Sequence, residues 1–359
     1  MTATVPAPRG VGEDTATARQ ILDRCRALVR PALAQAVERL HPWPGEMAAY
    51  SFGWCEVGGA PAAGAGGKGV RQALAVLCAE AAGAPGEAAV AGAVAVELVH
   101  TFSLLHDDIM DGDPTRRARP TVWKAYGTGP AVLVGDALFA LAVETLATVP
   151  GARGPVAVRH LAAALGDLVR GQADDLLFEA RPWTGPEAVR PDAYRAMAEH
   201  KTGALLGCAA ALGAALAGAP DETVAALDRA GRHMGVAFQV VDDLLGIWGD
   251  PGVTGKPVHG DLRQRKKTFP VLAALNARGL GGPAAGRLAT LLESPDTPDD
   301  ATNRRAAALI EQAGGRSAAL DEAHRHIAAV EDCLAGVPLA PRATEELRTL
   351  LAFLVGREM

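Results

Sequence analysis

Leu105-His106-Asp107-Asp108-Ile109-Met110-Asp111, continued by Gly112-Asp113-Pro114-Thr115-Arg116-Arg117, decides how this chain is read. The residues ahead of it, Glu87–Met110, have the apolar spacing of a long helix, so the acidic group stands at a helix C-terminal end. On that helix Asp107 and Asp111 are four apart and share a face. Asp108 lies about 100° round the axis. Carboxylates clustered in apolar surroundings repel one another, and charges persist there when paired or metal-bound. A merely solvated acidic end is a poor alternative, because the helix dipole is already negative there. A hard divalent cation relieves the repulsion, and Mg²⁺ takes phosphate oxygens among its remaining ligands.

A second acidic pair closes another apolar helix, in Phe238-Gln239-Val240-Val241-Asp242-Asp243-Leu244-Leu245. Alone it says little. Two such pairs, each followed by basic residues, suggest facing carboxylate clusters that clamp metal ions around a diphosphate. The basic residues are Arg116-Arg117 after the first pair and Lys256 with Arg263-Gln264-Arg265-Lys266-Lys267 after the second. Lys201-Thr202 opens another apolar stretch. Lys68 and Arg71 sit three apart at a helix start, where free N–H groups and the dipole favour a second phosphate group.

Outward from these motifs the pattern is helical throughout: about 17–40, 71–82, 87–110, 130–148, 154–180, 191–218, 221–248 and 261–278, then 304–334 and 341–357. Two loops interrupt it. Gly58–Gly69 has six glycines in twelve positions, and 281–303 is rich in Pro, Gly and Asp. Hydrophobic residues make up 49% of the chain but aromatics only 4%, which suits closely packed helices better than sheets. The expectation is one all-α domain over 17–359, a helical bundle around a central apolar cavity, preceded by a disordered tail over 1–16. The net charge of −6, with no long basic stripe, argues against nucleic acid. Five dispersed cysteines without CxxC spacing read as reduced thiols in a cytoplasmic protein, with no zinc site. No stretch stands out as a membrane span, although Gly203–Ala219 comes near and is read as a buried helix.

At these residues the chain resembles the head-to-tail polyprenyl diphosphate synthases that make farnesyl and geranylgeranyl diphosphates. The likeness runs from Gly66 to about Asn276. It takes in Gly66-Gly67-Lys68-x-x-Arg71, Glu97-Leu98-Val99-His100, the first Asp motif with Arg116-Arg117, and Gly171-Gln172-x-x-Asp175. It continues through Lys201-Thr202, Phe238-Gln239-x-x-Asp242-Asp243, Gly249-Asp250-Pro251, Gly255-Lys256-Pro257, Asp261-Leu262 and Lys266-Lys267-Thr268-x-Pro270. The resemblance implies an isoprenoid synthase-type fold, an Mg²⁺-dependent prenyltransferase and a homodimer. It implies that Asp107, Asp108, Asp111, Asp242 and Asp243 hold about three Mg²⁺ on the allylic diphosphate. Arg116, Lys201, Thr202, Gln239, Lys256 and Lys266 would contact that diphosphate, and Lys68, Arg71, His100 and Arg117 isopentenyl diphosphate. Gln172, with Thr202 and Gln239, would line the reacting centre. Proton loss would go to the pyrophosphate itself.

Two departures matter. Gly246 stands where the second motif usually has a third aspartate, and Gly69 where a basic residue often follows the lysine. Phe102, five residues before the first motif, resembles a floor for the growing chain. With the small Ser103 beside it and no insertion in the motif, the pattern is that of a geranylgeranyl (C20) synthase. Farnesyl and geranyl synthases are the neighbouring alternatives. A terpene cyclase would need no second diphosphate site, and a non-catalytic partner subunit would tolerate Gly246.

Overall fold

The structure is a computed structural model that describes residues 16–62, 67–250, 258–277, 282–295 and 298–356. The expected tail over 1–16 therefore lies almost wholly outside the described residues, as do part of the glycine loop and Lys256.

The described chain is a helical bundle. Its first half comprises α1 (Ala18–Glu38), α2 (Pro42–Ser51), α3 (Val70–Ala81), α4 (Val90–Met110, entered by a short 3₁₀ turn), α5 (Val122–Tyr126), α6 (Thr128–Ala147) and α7 (Arg153–Ala180). The second half comprises α8 (Pro191–Ala198), α9 (Ala204–Ala217), α10 (Asp221–Trp248), α11 (Gly260–Arg263), α12 (Phe269–Asn276), α13 (Gly282–Glu293), α14 (Asp300–Gln312), α15 (Gly315–Ala335) and α16 (Pro341–Val355). A two-residue antiparallel ribbon, Thr115–Arg116 with Arg119–Pro120, is the one sheet among the described residues.

α9 is the axis of the bundle. Nearly every residue of it is buried, and α3, α4, α7 and α10 pack around it. The Ala/Gly-rich composition makes this possible, because small side chains let helix backbones approach closely. A Cβ on Gly213 would stand 2.1 Å from the Ala75 carbonyl oxygen of α3, and one on Gly92 would stand 3.0 Å from Leu212. Leu212, Leu98 and Leu138 are wholly buried, each worth roughly 1.5–3 kcal/mol over exposure. A second core joins α8, α10, α12 and α15, and a third joins α13 and α14 to the end of α10. The near-membranous stretch 203–219 is indeed a buried helix. By length and composition two other helices could cross a membrane, Gly86–Met110 and Thr128–Ala147; most of the first is packed inside the fold. All five cysteines are free.

Four of the expected segments need correction. The run 191–218 is not one helix: a π turn at Glu199–Gly203 separates α8 from α9. The run 261–278 breaks into α11 and α12, with the non-helical 264–268 between them. The segment 281–303, expected as a loop, contains α13, whose Ala284, Leu288 and Leu292 recur at four-residue spacing and bury against α14. Likewise 304–334 divides at Gly314, which takes φ +83° between α14 and α15.

Candidate functional site

The first acidic motif divides its carboxylates between two tasks. Asp108 is buried, 3% exposed, and its Oδ1 accepts from Arg116 Nε at 2.7 Å and pairs with Nη2 at 2.7 Å. The short ribbon delivers that guanidinium. Arg117 and Ala118 at its tip both have positive φ, 51° and 60°, the backbone of a tight hairpin turn that non-glycine residues seldom adopt. The turn folds Arg116 back onto α4 while Arg117 reaches the opposite side, beside Gly67.

Asp107 faces a different group. Lys201 Nζ lies 2.5 Å from Asp175 Oδ2, and Asp107 and Asp111 add their fields to the same ammonium. Burial pushes the Asp107 carboxyl up to about 6; Lys201 and Arg116 oppose this, and Asp111 and Asp175 reinforce it. Burial also works against the charge on Lys201, but the surrounding carboxylates outweigh it and its pKa is raised. Asp175 is thus a member of the site to which the sequence reading assigned no role. Its only early signal was its place four residues after Gly171.

The π turn explains how Lys201 gets there. One extra residue in the helical ladder re-aims the side chains that follow, a device common at functional sites. Glycines on both neighbouring helices make room for it. A Cβ on Gly171 of α7 would stand 2.2 Å from the Lys201 backbone nitrogen, and one on Gly235 of α10 would stand 2.4 Å from Gly203 Cα.

From Thr202 a chain of hydrogen bonds runs into the second motif. Thr202 Oγ1 donates to Gln239 Oε1 at 2.8 Å, and Gln239 Nε2 donates to Asp243 Oδ1 at 3.1 Å. Asp243 Oδ2 also accepts from the Phe269 backbone N–H at 2.8 Å and from the Tyr194 hydroxyl. Asp243 is therefore an interior acceptor tying α8, α10 and α12 together, 4% exposed. Its carboxyl is pushed up to about 7, first by burial and then by Asp261, while the donated hydrogen bonds pull it back. Asp242, one residue earlier, is only half-buried.

The basic residues assemble a second, adjoining site. Gly69 takes φ +69° and turns the chain into α3. Arg26 of α1 donates to the carbonyls of Gly67 and Lys68, both at 3.2 Å, which holds the loop in place. Lys68 Nζ stands 5.5 Å from the centre of the Phe353 ring. Arg71 Nη1 lies 3.2 Å from His100 Nε2. Burial lowers Arg71 to about 10 although Glu97 opposes it, and its Nε is a buried donor without a partner. Burial, then Arg71, Arg117 and Arg116, hold His100 well below its usual value, so the ring is neutral at pH 7. Glu97, raised by burial, is the counter-charge, and one of its oxygens accepts from the Gln72 N–H at 3.1 Å. The sequence reading quoted Glu97 without giving it this role. Gln172 Nε2 and His200 Nδ1 are two more buried polar atoms without partners.

Lys266 lies in the turn after α11, its N–H donating to the Asp261 carbonyl at 2.9 Å. Phe102 stands edge-on to His106 at 4.8 Å and tilted on Phe139 at 5.7 Å, while Ser103 Oγ turns back to the His100 carbonyl. Among the described residues, no three His, Cys, Asp or Glu side chains already share one metal-binding distance. The donors themselves are all oxygen, which suits Mg²⁺, a cation that takes only one or two carboxylates and completes its shell with phosphate and water.

The family model for polyprenyl synthetase matches residues 60–322. The chain is 44% identical over 341 residues to a (2E,6E)-farnesyl diphosphate synthase of Mycobacterium bovis, covering 94% of this chain and 93% of the relative. It is 46% identical over 328 residues to a geranylgeranyl diphosphate synthase of Mycobacterium tuberculosis, covering 91% of each. The crystal structure of a polyprenyl synthetase from Streptomyces coelicolor superposes with a TM-score of 0.87 at 48% identity, over 93% of this chain and 98% of that one.

Proposed function

The chain belongs to the polyprenyl synthetase family and is a prenyl-transferring diphosphate synthase; from that premise we propose that it joins isopentenyl diphosphate to an allylic diphosphate, stops at C20 and releases pyrophosphate. The observation that carries the two-substrate reading is the adjacency of two unlike sites. One is the carboxylate group around Lys201; the other is the cationic group Lys68, Arg71, His100 and Arg117, and Arg116 touches both through Asp108 and the field on His100.

Asp107 and Asp111, with Asp108 behind them and Asp242 opposite, would hold about three Mg²⁺ with the allylic diphosphate. Bound there, the cations would supply positive charge to neutralise the departing pyrophosphate. Lys201 and Arg116 add positive charge at the leaving oxygens, with Lys266 and Lys256 following on the chain. The allylic C–O bond breaks and its electron pair leaves with pyrophosphate. The isopentenyl double bond then attacks the allylic carbon, and the proton lost from the adduct goes to pyrophosphate. Thr202, Gln239 and Gln172 present hydroxyl and amide groups to the reacting centre and keep water out. Asp243 positions Gln239 rather than ligating metal. Purified protein incubated with Mg²⁺, isopentenyl diphosphate and C5, C10 or C15 primers should give product that disappears on chelation. No product from any primer would overturn the reading.

The C20 limit rests on Phe102. Its ring is backed by His106 and Phe139, which makes it a supported wall, and Ser103 adds no second aromatic. Phe102→Ala should shift the main product beyond C20, read by chromatography of the dephosphorylated alcohols. An unchanged product would remove Phe102 from the argument, and a C15 product from the parent protein would favour the farnesyl alternative.

A homodimer is part of the proposal. Val132, Leu133 and Phe139 on α6, with Val169, Leu176 and Leu177 on the adjoining α7, are large apolar side chains left exposed. Exposed apolar clusters on neighbouring helices mark association surfaces, and a second copy is the commonest partner. Leu133→Glu with Leu177→Glu should halve the mass seen by sedimentation. A parent chain that sediments as a monomer would refute the dimer.

A further inference from the structure

We propose that Asp261, from the start of α11, supplies the carboxylate that α10 lacks at position 246, and that Gly246 is glycine because this carboxylate fills the space of its missing side chain. The inference deepens the metal–diphosphate reading above and rests on it.

Position 246 is four residues after Asp242, so the two share one face of α10. Asp243 is turned about 100° away and held inside by its three donors. The face that should carry a second carboxylate therefore carries only a backbone. A Cβ built on Gly246 would lie 1.9 Å from Asp261 Oδ2, 2.5 Å from Cγ and 3.0 Å from Oδ1. This is full overlap with the carboxylate, so not even alanine fits at 246 without displacing it.

The placement is built by packing. Leu262 and Ile247, the residues next in line to each partner, are buried in the same core with Val271. α11 is thereby pinned against the end of α10. The turn is locked from behind by the Lys266 N–H on the Asp261 carbonyl at 2.9 Å and entered through His259 at φ +61°. A carboxylate fixed through its own backbone thus fills the space in which the side chain of an aspartate on α10 would have begun.

The test uses the full chain and Mn²⁺ as a paramagnetic stand-in, titrated by electron paramagnetic resonance with and without inorganic pyrophosphate. Asp261→Asn should weaken the pyrophosphate-dependent Mn²⁺ binding by roughly 10–100-fold. Gly246→Ala, which keeps the carboxylate but displaces it, should also weaken it. The exchange Gly246→Asp with Asp261→Ala should recover most of the loss, whereas Gly246→Asp alone should not help. Thermal melts of each variant separate lost binding from lost fold. Mn²⁺ binding by Asp261→Asn equal to the parent, or an exchange variant no better than Asp261→Asn, would overturn the proposal. A parent chain that turns over while Asp261→Asn binds normally sinks this inference alone; a parent that neither binds Mn²⁺ with pyrophosphate nor turns over sinks the functional reading beneath it.

Discussion

Asp107→Asn should lower kcat by at least 10²–10³-fold at saturating Mg²⁺ while leaving the ligand-free protein as stable as the parent, or more so, at pH 8. The loss is the size expected when a preorganised charge at the leaving group is removed. The stability sign follows from the carboxyl's position near 6 in the folded chain against an ordinary value of 3.8. A raised folded value means the proton is held more tightly in the native state. That contribution is complete below about pH 4 and lost as pH rises through 6, so at pH 8 the ionised group is a net cost. The rise from 3.8 to about 6, which already includes the pull of Lys201 and Arg116, corresponds to at most about 3 kcal/mol. Lys201 keeps Asp175 as its partner in the variant. Melting curves should therefore show the variant's advantage at pH 8 and its disappearance below pH 5. Turnover within tenfold of the parent would remove Asp107 from the metal site, and a variant melting well below the parent at pH 8 would refute the electrostatic account.

Asp242→Ala and Asp243→Ala should fail in different ways, although the two residues are adjacent and look equivalent in sequence. Asp243→Ala strands the Tyr194 hydroxyl, the Phe269 N–H and the Gln239 amide, all buried or half-buried. An unsatisfied buried donor costs about 1–3 kcal/mol, and the relief of an unfavourably buried carboxylate offsets part of the total. A net loss of about 2–5 kcal/mol is expected, enough to lower Tm by several degrees. Asp242→Ala should barely move Tm and should instead reduce kcat and the affinity for Mn²⁺ with pyrophosphate. Differential scanning calorimetry beside steady-state kinetics distinguishes the two. Equal Tm losses, or a stable but inactive Asp243→Ala, would return Asp243 to the metal ligands.

Much of the molecule was legible before any coordinate was known. Apolar residues three and four apart specify α3, α4, α6, α7, α10 and α16 nearly to their ends, because helix formation depends on neighbours within one turn. The low aromatic and high small-residue content foretold close helix packing. The order of motifs from Lys68 to Pro270 pointed to the family, whose model matches residues 60–322.

What escaped the sequence depends on partners far along the chain. The π turn at Glu199–Gly203 is hidden because alanine-containing stretches on both sides propagate a helix equally well; only glycines at 171 and 235, on other helices, create the space that accepts the extra residue. α13 was read as loop because its Gly and Pro outweighed a short leucine repeat whose burial needs α14. The aspartates of each motif look alike in one dimension. Asp108 differs from Asp107 because a hairpin returns Arg116 to one and the π turn brings Lys201 to the other. Asp243 differs from Asp242 because Tyr194 and Phe269 reach only one side of α10. The sequence by itself determined most of the helical segments and which residues carry charge; tertiary structure alone decided where several of those helices break, which carboxylates are paired, which are buried and that Asp261 fills the space at Gly246, since a charge's environment is set by groups tens of residues away whose approach local periodicity does not encode.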